Sequence, residues 1–415
     1  MADRTGIQWT DATWNPIVGC SLVSLGCTNC YAMRMAARIE AMQPGTHYAG
    51  TTMPGKSGAV WTGKMALAPR HTLTQPLRWR RPRTIFVNSM GDLFHEDVPF
   101  ETIAGIFGIM NAARQHTFQV LTKRASRMRA FFTWLAQQTE PKAIWVKRVN
   151  EAEKLCDEPQ GNRGAERHHA ECIAIHAFAI ALGAGPSGLY TQWPLPNVWL
   201  GVSAEDQRRA DERIPDLLAT PAAIRFVSCE PLLGPIRLDR IEEWADKFED
   251  CGGHPDPHWP PDTHDWTWLN ALEGRYGAEA RSPAGERRGD IDVGLRWDGG
   301  KLDLVIVGGE NGPRPMHPDW ARTLRDQCAA TGTAFFFKQW GSWEPAVDRE
   351  RDDPDWRLSY SREFGDSGAT KWLNLAGGCG FHGERFHVMR RVGKARAGRL
   401  LDGREHNDLP GRAAT

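Results

Sequence analysis

No stretch of this 415-residue chain is apolar for long enough to cross a bilayer as a helix. The N-terminus, Met1-Ala2-Asp3-Arg4-Thr5-Gly6, lacks the apolar core of a secretory signal. Both absences predict a cytoplasmic protein with no membrane partner. An excess of one charge is missing too. The 51 Lys and Arg residues are balanced by 51 Asp and Glu, which argues against a chain built as a general polyanion binder. Nucleic-acid contact would have to come from local patches. No internal repeat stands out. Hydrophobic residues at 41% and charged residues at 25% suit an enzyme-sized core, either one large α/β barrel or two ordinary domains.

Against these absences stand nine cysteines, which in a reducing compartment suggest metal more than disulfides. Cys20, Cys27 and Cys30 form a C-x-x-C pair with a third thiol upstream. Three thiolates leave a tetrahedral zinc or a four-iron cluster one ligand short, and the open position is where chemistry can occur. Reduced structural thiols are a third reading. Zinc would need a fourth ligand, with His47 the nearest downstream histidine, and its usual two tight pairs are lacking. An open iron fits better: it can bind the amino and carboxylate groups of S-adenosylmethionine, whose sulfonium is then split by electron transfer.

Short apolar runs recur at 84–88, 117–121, 198–202, 224–227, 302–307 and 334–337. Helical spacing fills 101–113, 125–136 and 318–330. This alternation predicts βα units and a parallel sheet, with a first strand leading into Cys20 as the seventh. The runs are followed by Ser89 and Asp92, Lys123 and Arg124, Ser203 and Glu205, Glu230, Gly309 and Glu310, and Lys338 and Gln339. Polar strand ends are what a barrel mouth needs, although strands also simply end where polar loops begin. The expected architecture is an incomplete (βα)6-type barrel over residues 1–340. Insertions at about 145–196, with a helix around 166–182, and at 240–300 would cap it. An irregular extension at 341–415 would pack on the barrel.

Other clusters carry less. Cys156, His168, His169, Cys172 and His176, and also Cys251, His254, His258 and His264, offer soft ligands but no two tight pairs. They read as ordinary structural or loop residues. Arg78, Arg80, Arg81 and Arg83 beside Trp79, then Arg124, Arg127 and Arg129, then Arg390, Arg391, Lys394, Arg396 and Arg399 are candidate phosphate contacts, with solvated faces as the ordinary reading. Cys229, beside Glu230, is a candidate hydrogen donor or a buried structural thiol.

Several motifs occur in order: Thr5-Gly6-Ile7-Gln8-Trp9, Trp14-Asn15-Pro16, Asn88-Ser89-Met90-Gly91-Asp92, Thr122-Lys123-Arg124, Cys229-Glu230-Pro231, Val307-Gly308-Gly309-Glu310 and Phe337-Lys338-Gln339-Trp340-Gly341. Together they resemble a phage-associated family named for its three-cysteine motif and of undefined function. The cysteine loop followed by Tyr31 resembles the radical S-adenosylmethionine superfamily, where three residues rather than six commonly separate the first two cysteines. Gly308-Gly309-Glu310 resembles that superfamily's amine-gripping segment but closes a late strand instead of the second. A more distant similarity is to spore photoproduct lyase, which acts on thymine damage in DNA. Carried over by residue, the resemblance implies a 4Fe-4S cluster on Cys20, Cys27 and Cys30. It implies S-adenosylmethionine beside Tyr31, Ser89, Asp92, Lys123, Ser203 and Glu230, with an external electron donor and a DNA or nucleotide substrate. Two other readings stay open: a non-catalytic zinc-stabilised nucleic-acid-binding protein, and a radical enzyme acting on a peptide or small metabolite.

Overall fold

Runs of β-branched and aromatic residues fit a pleated, covered surface, and here they form the strands of a parallel sheet. The computed structural model describes residues 5–56, 58–137, 193–242, 267–281, 287–296, 299–350, 368–378 and 385–411. The seven strands are β1 (Ala12–Trp14), β2 (Thr84–Val87), β3 (Thr117–Thr122), β4 (Val198–Ser203), β5 (Ile224–Cys229), β6 (Leu304–Gly308) and β7 (Ala334–Gln339). They follow one another in chain order within a single mixed α/β architecture. The pairs β1–β2, β2–β3, β3–β4, β5–β6 and β6–β7 are parallel. Every residue of β6 is buried, as expected of a parallel strand covered on both faces.

The chain divides into two units, residues 1–202 with 220–224 and residues 203–219 with 225–415. In the first, α1 (Tyr31–Met42) follows the cysteines, α2 (Phe100–Ala112) follows β2 and α3 (Ala125–Ala136) follows β3. Ile103, Ile106, Phe107 and Met110 recur at helical spacing, and α2 is buried on all faces from Ile103 to Asn111. The matching stripe of α3 is Met128, Phe131, Phe132 and Leu135. Phe107 stacks on Phe131 at 5.4 Å between ring centroids, which locks the two helices together.

In the second unit, α4 (Gln207–Leu218) follows β4 and α5 (Pro318–Thr331) follows β6. Asp206 caps α4 by accepting from the Arg209 amide at 2.9 Å.

The first strand does not run into Cys20. It stops at Trp14, just before Pro16, whose missing N–H cannot extend a ladder. The chain then makes a two-residue antiparallel pairing, Ile17–Val18 with Ala66–Leu67. A single parallel bridge from Gly19 to Gly91 follows. The extension beyond 341 is not irregular either: Trp343–Glu350, Thr370–Asn374 and Arg385–Arg391 form an antiparallel sheet with the last strand central. Glycine and arginine masked the strand-forming runs there. The described part of the 240–300 insertion is likewise an antiparallel sheet, of Ile241–Glu242, Thr267–Asn270, Arg275–Arg281 and Arg287–Arg296. Residues 138–192, and with them the expected helix around 166–182 and the Cys156–His176 group, lie outside the described residues. So do Cys251, His254, His258 and His264. Among the described residues no helix is long and apolar enough to cross a membrane.

Burial pushes the Asp211 carboxyl of α4 up to about 6. Its Oδ1 accepts from Gln207 Nε2 at 2.8 Å and from the Glu242 amide at 3.1 Å. Because the unfolded carboxyl ionises first, stability falls as pH rises from the ordinary aspartate value of 3.8 to about 6. Asp211→Asn keeps the accepting oxygen. Thermal melts should show it about 1 kcal/mol more stable than the parent at neutral pH, after allowance for screening at a half-buried group, and equal to it near pH ~3.5.

Candidate functional site

The cysteine loop begins at a position only glycine can fill. Gly19 has φ +99°, and a Cβ there would lie 2.0 Å from the Lys64 carbonyl oxygen. Beyond it, a single turn at Leu25–Cys27 is closed by the Cys27 amide donating to Ser24 O at 3.0 Å. The Cys30 amide donates in turn to Cys27 O at 3.2 Å. Cys30 is the residue before α1, so its sulfur faces the backbone amides of Ala32 and Met33. Cys20 and Cys30 pack against an apolar cluster that includes Val18, Met33, Trp61 and Met90. Burial is the main reason the Cys20 thiol is pushed up to about 12; Asp92 adds to the rise and Arg124 opposes it. The Cys30 thiol is raised as well, burial outweighing the helix-end amides. Only a bound cation would hold these sulfurs as thiolates at neutral pH.

Arg124, buried at the end of β3, ties the loop to the strand ends. Its Nε donates to both oxygens of Glu96 at 2.9 Å, and Nη1 reaches Asp92 Oδ2 at 2.9 Å. Nη2 donates to Ser21 Oγ at 2.6 Å, and Nη1 lies 3.8 Å from Cys20 Sγ. His95 Nδ1 accepts from the Asp97 amide at 3.2 Å, so the neutral ring carries its proton on Nε2, 3.0 Å from Ser21 Oγ. Burial and the Arg124 charge hold the His95 pKa below its ordinary value.

Asp92 accepts four hydrogen bonds. Oδ1 takes the Thr122 hydroxyl at 2.7 Å and the Phe94 amide at 3.0 Å. Oδ2 takes the Lys123 amide at 3.3 Å and Arg124. All four lone-pair positions of the carboxylate are thereby in use. Tyr31 donates from its hydroxyl to Ser89 O at 3.1 Å, and Ser89 Oγ donates to Asn15 Oδ1 at 3.1 Å. The same Asn15 oxygen accepts the Met90 amide at 3.0 Å. Asn88 supports this turn in the left-handed region, at φ +60°. The half-buried Lys123 exerts its charge on the Cys30 thiol. The first unit therefore gathers Cys20, Cys27, Cys30, Tyr31, Ser89, Asp92 and Lys123 onto adjoining segments.

Ser203 and Glu230 belong to the second unit. There Lys338 Nζ donates to the Glu230 carboxylate at 2.7 Å, and Ser203 Oγ donates to Glu230 O at 3.4 Å. Gly308 leaves room for that carboxylate, since a Cβ on it would stand 3.3 Å from Glu230 Oε1. Glu205 is fully buried against Arg213 at 3.0 Å. Glu310 is held by the Arg314 guanidinium, so the Gly-Gly-Glu turn ends in an internal ion pair. Cys229 is fully buried in β5.

The sequence places Arg124 at a strand end and in a basic cluster, with phosphate contact or a solvated face as its readings; the structure buries it and pairs it with Asp92 and Glu96. Its position directly after the Thr122-Lys123 strand end was the usable signal, not its charge. Asn15, Ser21 and Glu96 carried no such signal. Arg78, Arg80 and Arg81, by contrast, are exposed, as are Arg390, Arg391, Lys394 and Arg396.

A family described as "Protein of unknown function (DUF5131)" matches residues 4–410. The chain belongs to the DUF5131 family. The DUF5131 match takes in both the cysteine loop and the C-terminal sheet. No curated protein matches, and no solved structure matches.

The donor set of this DUF5131 chain is of the kind a soft metal takes: Cys20 and Cys30 pack against an apolar cluster, and the buried Arg124 guanidinium stands beside Cys20. A tetrahedral zinc would gather its thiolates on one ion, whereas a four-iron cluster would place each on its own iron. Replacing Arg124 should be severe whatever the metal. Arg124→Met leaves Asp92 buried without its cation and is expected to cost about 3–5 kcal/mol. Adding Asp92→Asn should recover part of the loss, as read from urea midpoints of metal-free protein.

Proposed function

We propose that this protein is a radical S-adenosylmethionine enzyme, with Cys20, Cys27 and Cys30 holding a 4Fe-4S cluster. The observation that carries the reading is a single loop of three thiols, Cys20 beside the buried Arg124 and Cys30 at the N-terminus of α1. With S-adenosylmethionine on its open iron, such a cluster supplies a 5′-deoxyadenosyl radical that abstracts hydrogen from substrate.

The remaining work belongs to this chain's own side chains. Arg124 beside Cys20 and the first amides of α1 beside Cys30 offset the negative charge of three thiolates. Met33, Trp61 and Met90 cover part of the Cys20 and Cys30 side chains. Lys123 supplies a cation for the methionyl carboxylate. Ser89, on the turn after β2, and Tyr31, whose hydroxyl reaches that turn from the start of α1, offer hydroxyls. Asp92, with its oxygens already taken, acts as a positioning residue that fixes Lys123 and Arg124 at the end of β3. For Ser203 and Glu230 the assignment to S-adenosylmethionine rests on the resemblance alone. The favoured substrate is a nucleobase, free or within DNA. That choice rests on the similarity to spore photoproduct lyase and on the exposed arginines at 78, 80 and 81; likeness of fold does not fix a substrate.

The test is anaerobic reconstitution with iron and sulfide, then addition of S-adenosylmethionine and dithionite, with products read by mass spectrometry. The expected result is brown protein that releases 5′-deoxyadenosine, with both properties lost in a Cys20→Ala/Cys27→Ala/Cys30→Ala variant. A colourless zinc protein that leaves S-adenosylmethionine intact would overturn the proposal.

A further inference from the structure

A second donor set lies in the second unit, built from residues far apart in sequence. His317, Asp319 and His387 bring one ligand atom each to within 4.8 Å of the others. His317 is the residue before α5, and its Nδ1 accepts from the Asp319 amide at 3.1 Å. Pro318 starts the helix, a position where its missing N–H costs nothing, and so directs Asp319 into the first turn. His387 sits in the central strand of the C-terminal sheet, opposite Leu373 and Asp348.

Both imidazoles are buried, 0% and 1% exposed, at a joint between a helix end and a sheet where apolar side chains would pack more cheaply. Two imidazoles and one carboxylate are the ligands that borderline-soft divalent ions select. Asp319 Oδ2 lies 3.6 Å from His387 Nε2. That is long for a hydrogen bond and near the ~3.3 Å edge of a tetrahedron with metal–ligand bonds of ~2.0 Å. The other oxygen, Oδ1, accepts from Arg322 Nη1 at 2.8 Å, which fixes the carboxylate as outer partners of metal ligands do. The Asp319 side chain keeps 15% exposure, giving an ion its approach.

We propose that His317, Asp319 and His387 bind one divalent transition-metal ion, zinc in the first instance, with water in the fourth position. The ion would pin the start of α5 to the centre of the C-terminal sheet. Because Nδ1 of His317 is engaged with the Asp319 amide, ion uptake exchanges that cap bond for a metal bond. The site shares no residue with the cysteine loop and does not depend on the radical reading.

Cobalt(II) tests it, because cobalt on nitrogen and oxygen ligands shows visible d–d bands without the near-ultraviolet charge transfer that thiolates add. Chelator-stripped full-length protein, wild type and the Cys20→Ala/Cys27→Ala/Cys30→Ala variant, is titrated anaerobically, with circular dichroism as the check on folding. The expected result is about one equivalent bound with d–d bands alone in the triple variant, and binding weakened more than ~100-fold by Asp319→Asn or His387→Gln. Absence of those bands from both starting proteins, or equal binding by folded Asp319→Asn and His387→Gln proteins, would overturn it. If His387→Gln fails to fold, Asp319→Asn decides, since the carboxamide keeps the helix start but is a poor ligand.

Discussion

The guanidinium of Arg124 is the constraint on which the cysteine loop depends. A buried cation is tolerated only with its charge matched and its donors used, and here Asp92, Glu96 and Ser21 meet both conditions. Since those partners come from the loop after β2 and from the segment after Cys20, one side chain fixes both against the end of β3. The cysteine loop is thus anchored by this one side chain on one side and packs on Met33 of α1 and its apolar neighbours on the other. The same group tempers the charge of the Cys20 sulfur, so scaffold and electrostatics at the loop share a single cause.

The second unit follows a related rule with different partners. Each charged residue that closes a strand there meets a counterion within its own unit: Glu205 with Arg213, Glu230 with Lys338, Glu310 with Arg314. The Glu310 turn also brings two backbones into near contact, since a Cβ on Gly309 would lie 2.0 Å from the Trp340 carbonyl oxygen. Strand ends of this kind resist collapse and keep polar groups at fixed positions. Polar residues there are thus partly architecture, which tempers any reading of each one as a ligand contact.

Much of the fold was legible because strand formation and helix spacing are local. The stripe Met128, Phe131, Phe132 and Leu135 marks α3 from end to end, and the aromatic run at 334–337 marks β7. The first strand, expected ahead of Cys20, is present but short, because Pro16 lacks the N–H that a ladder needs. The C-terminal sheet was missed because Trp372, Leu373, Val388 and Met389 are diluted by glycine and arginine. The three cysteines announced themselves by spacing. Arg124 and Asp92 stood out as strand-end residues, but not as partners of each other, because a charged residue there looks the same in sequence whether it meets solvent or a buried counterion. His317 and His387 were invisible for another reason: seventy residues separate them, and only the sheet brings them together.

Gly19 and Gly91 form a crossing where two backbones touch without side chains between them; a Cβ on Gly91 would lie 2.8 Å from the Gly19 carbonyl oxygen. With that crossing at one end and α1 at the other, the segment carrying the three thiols is held at both ends by backbone packing. Much of the conformational freedom of those residues is therefore spent on the fold itself. Any side chain larger than hydrogen at either glycine would push the two segments apart and move the thiols with them.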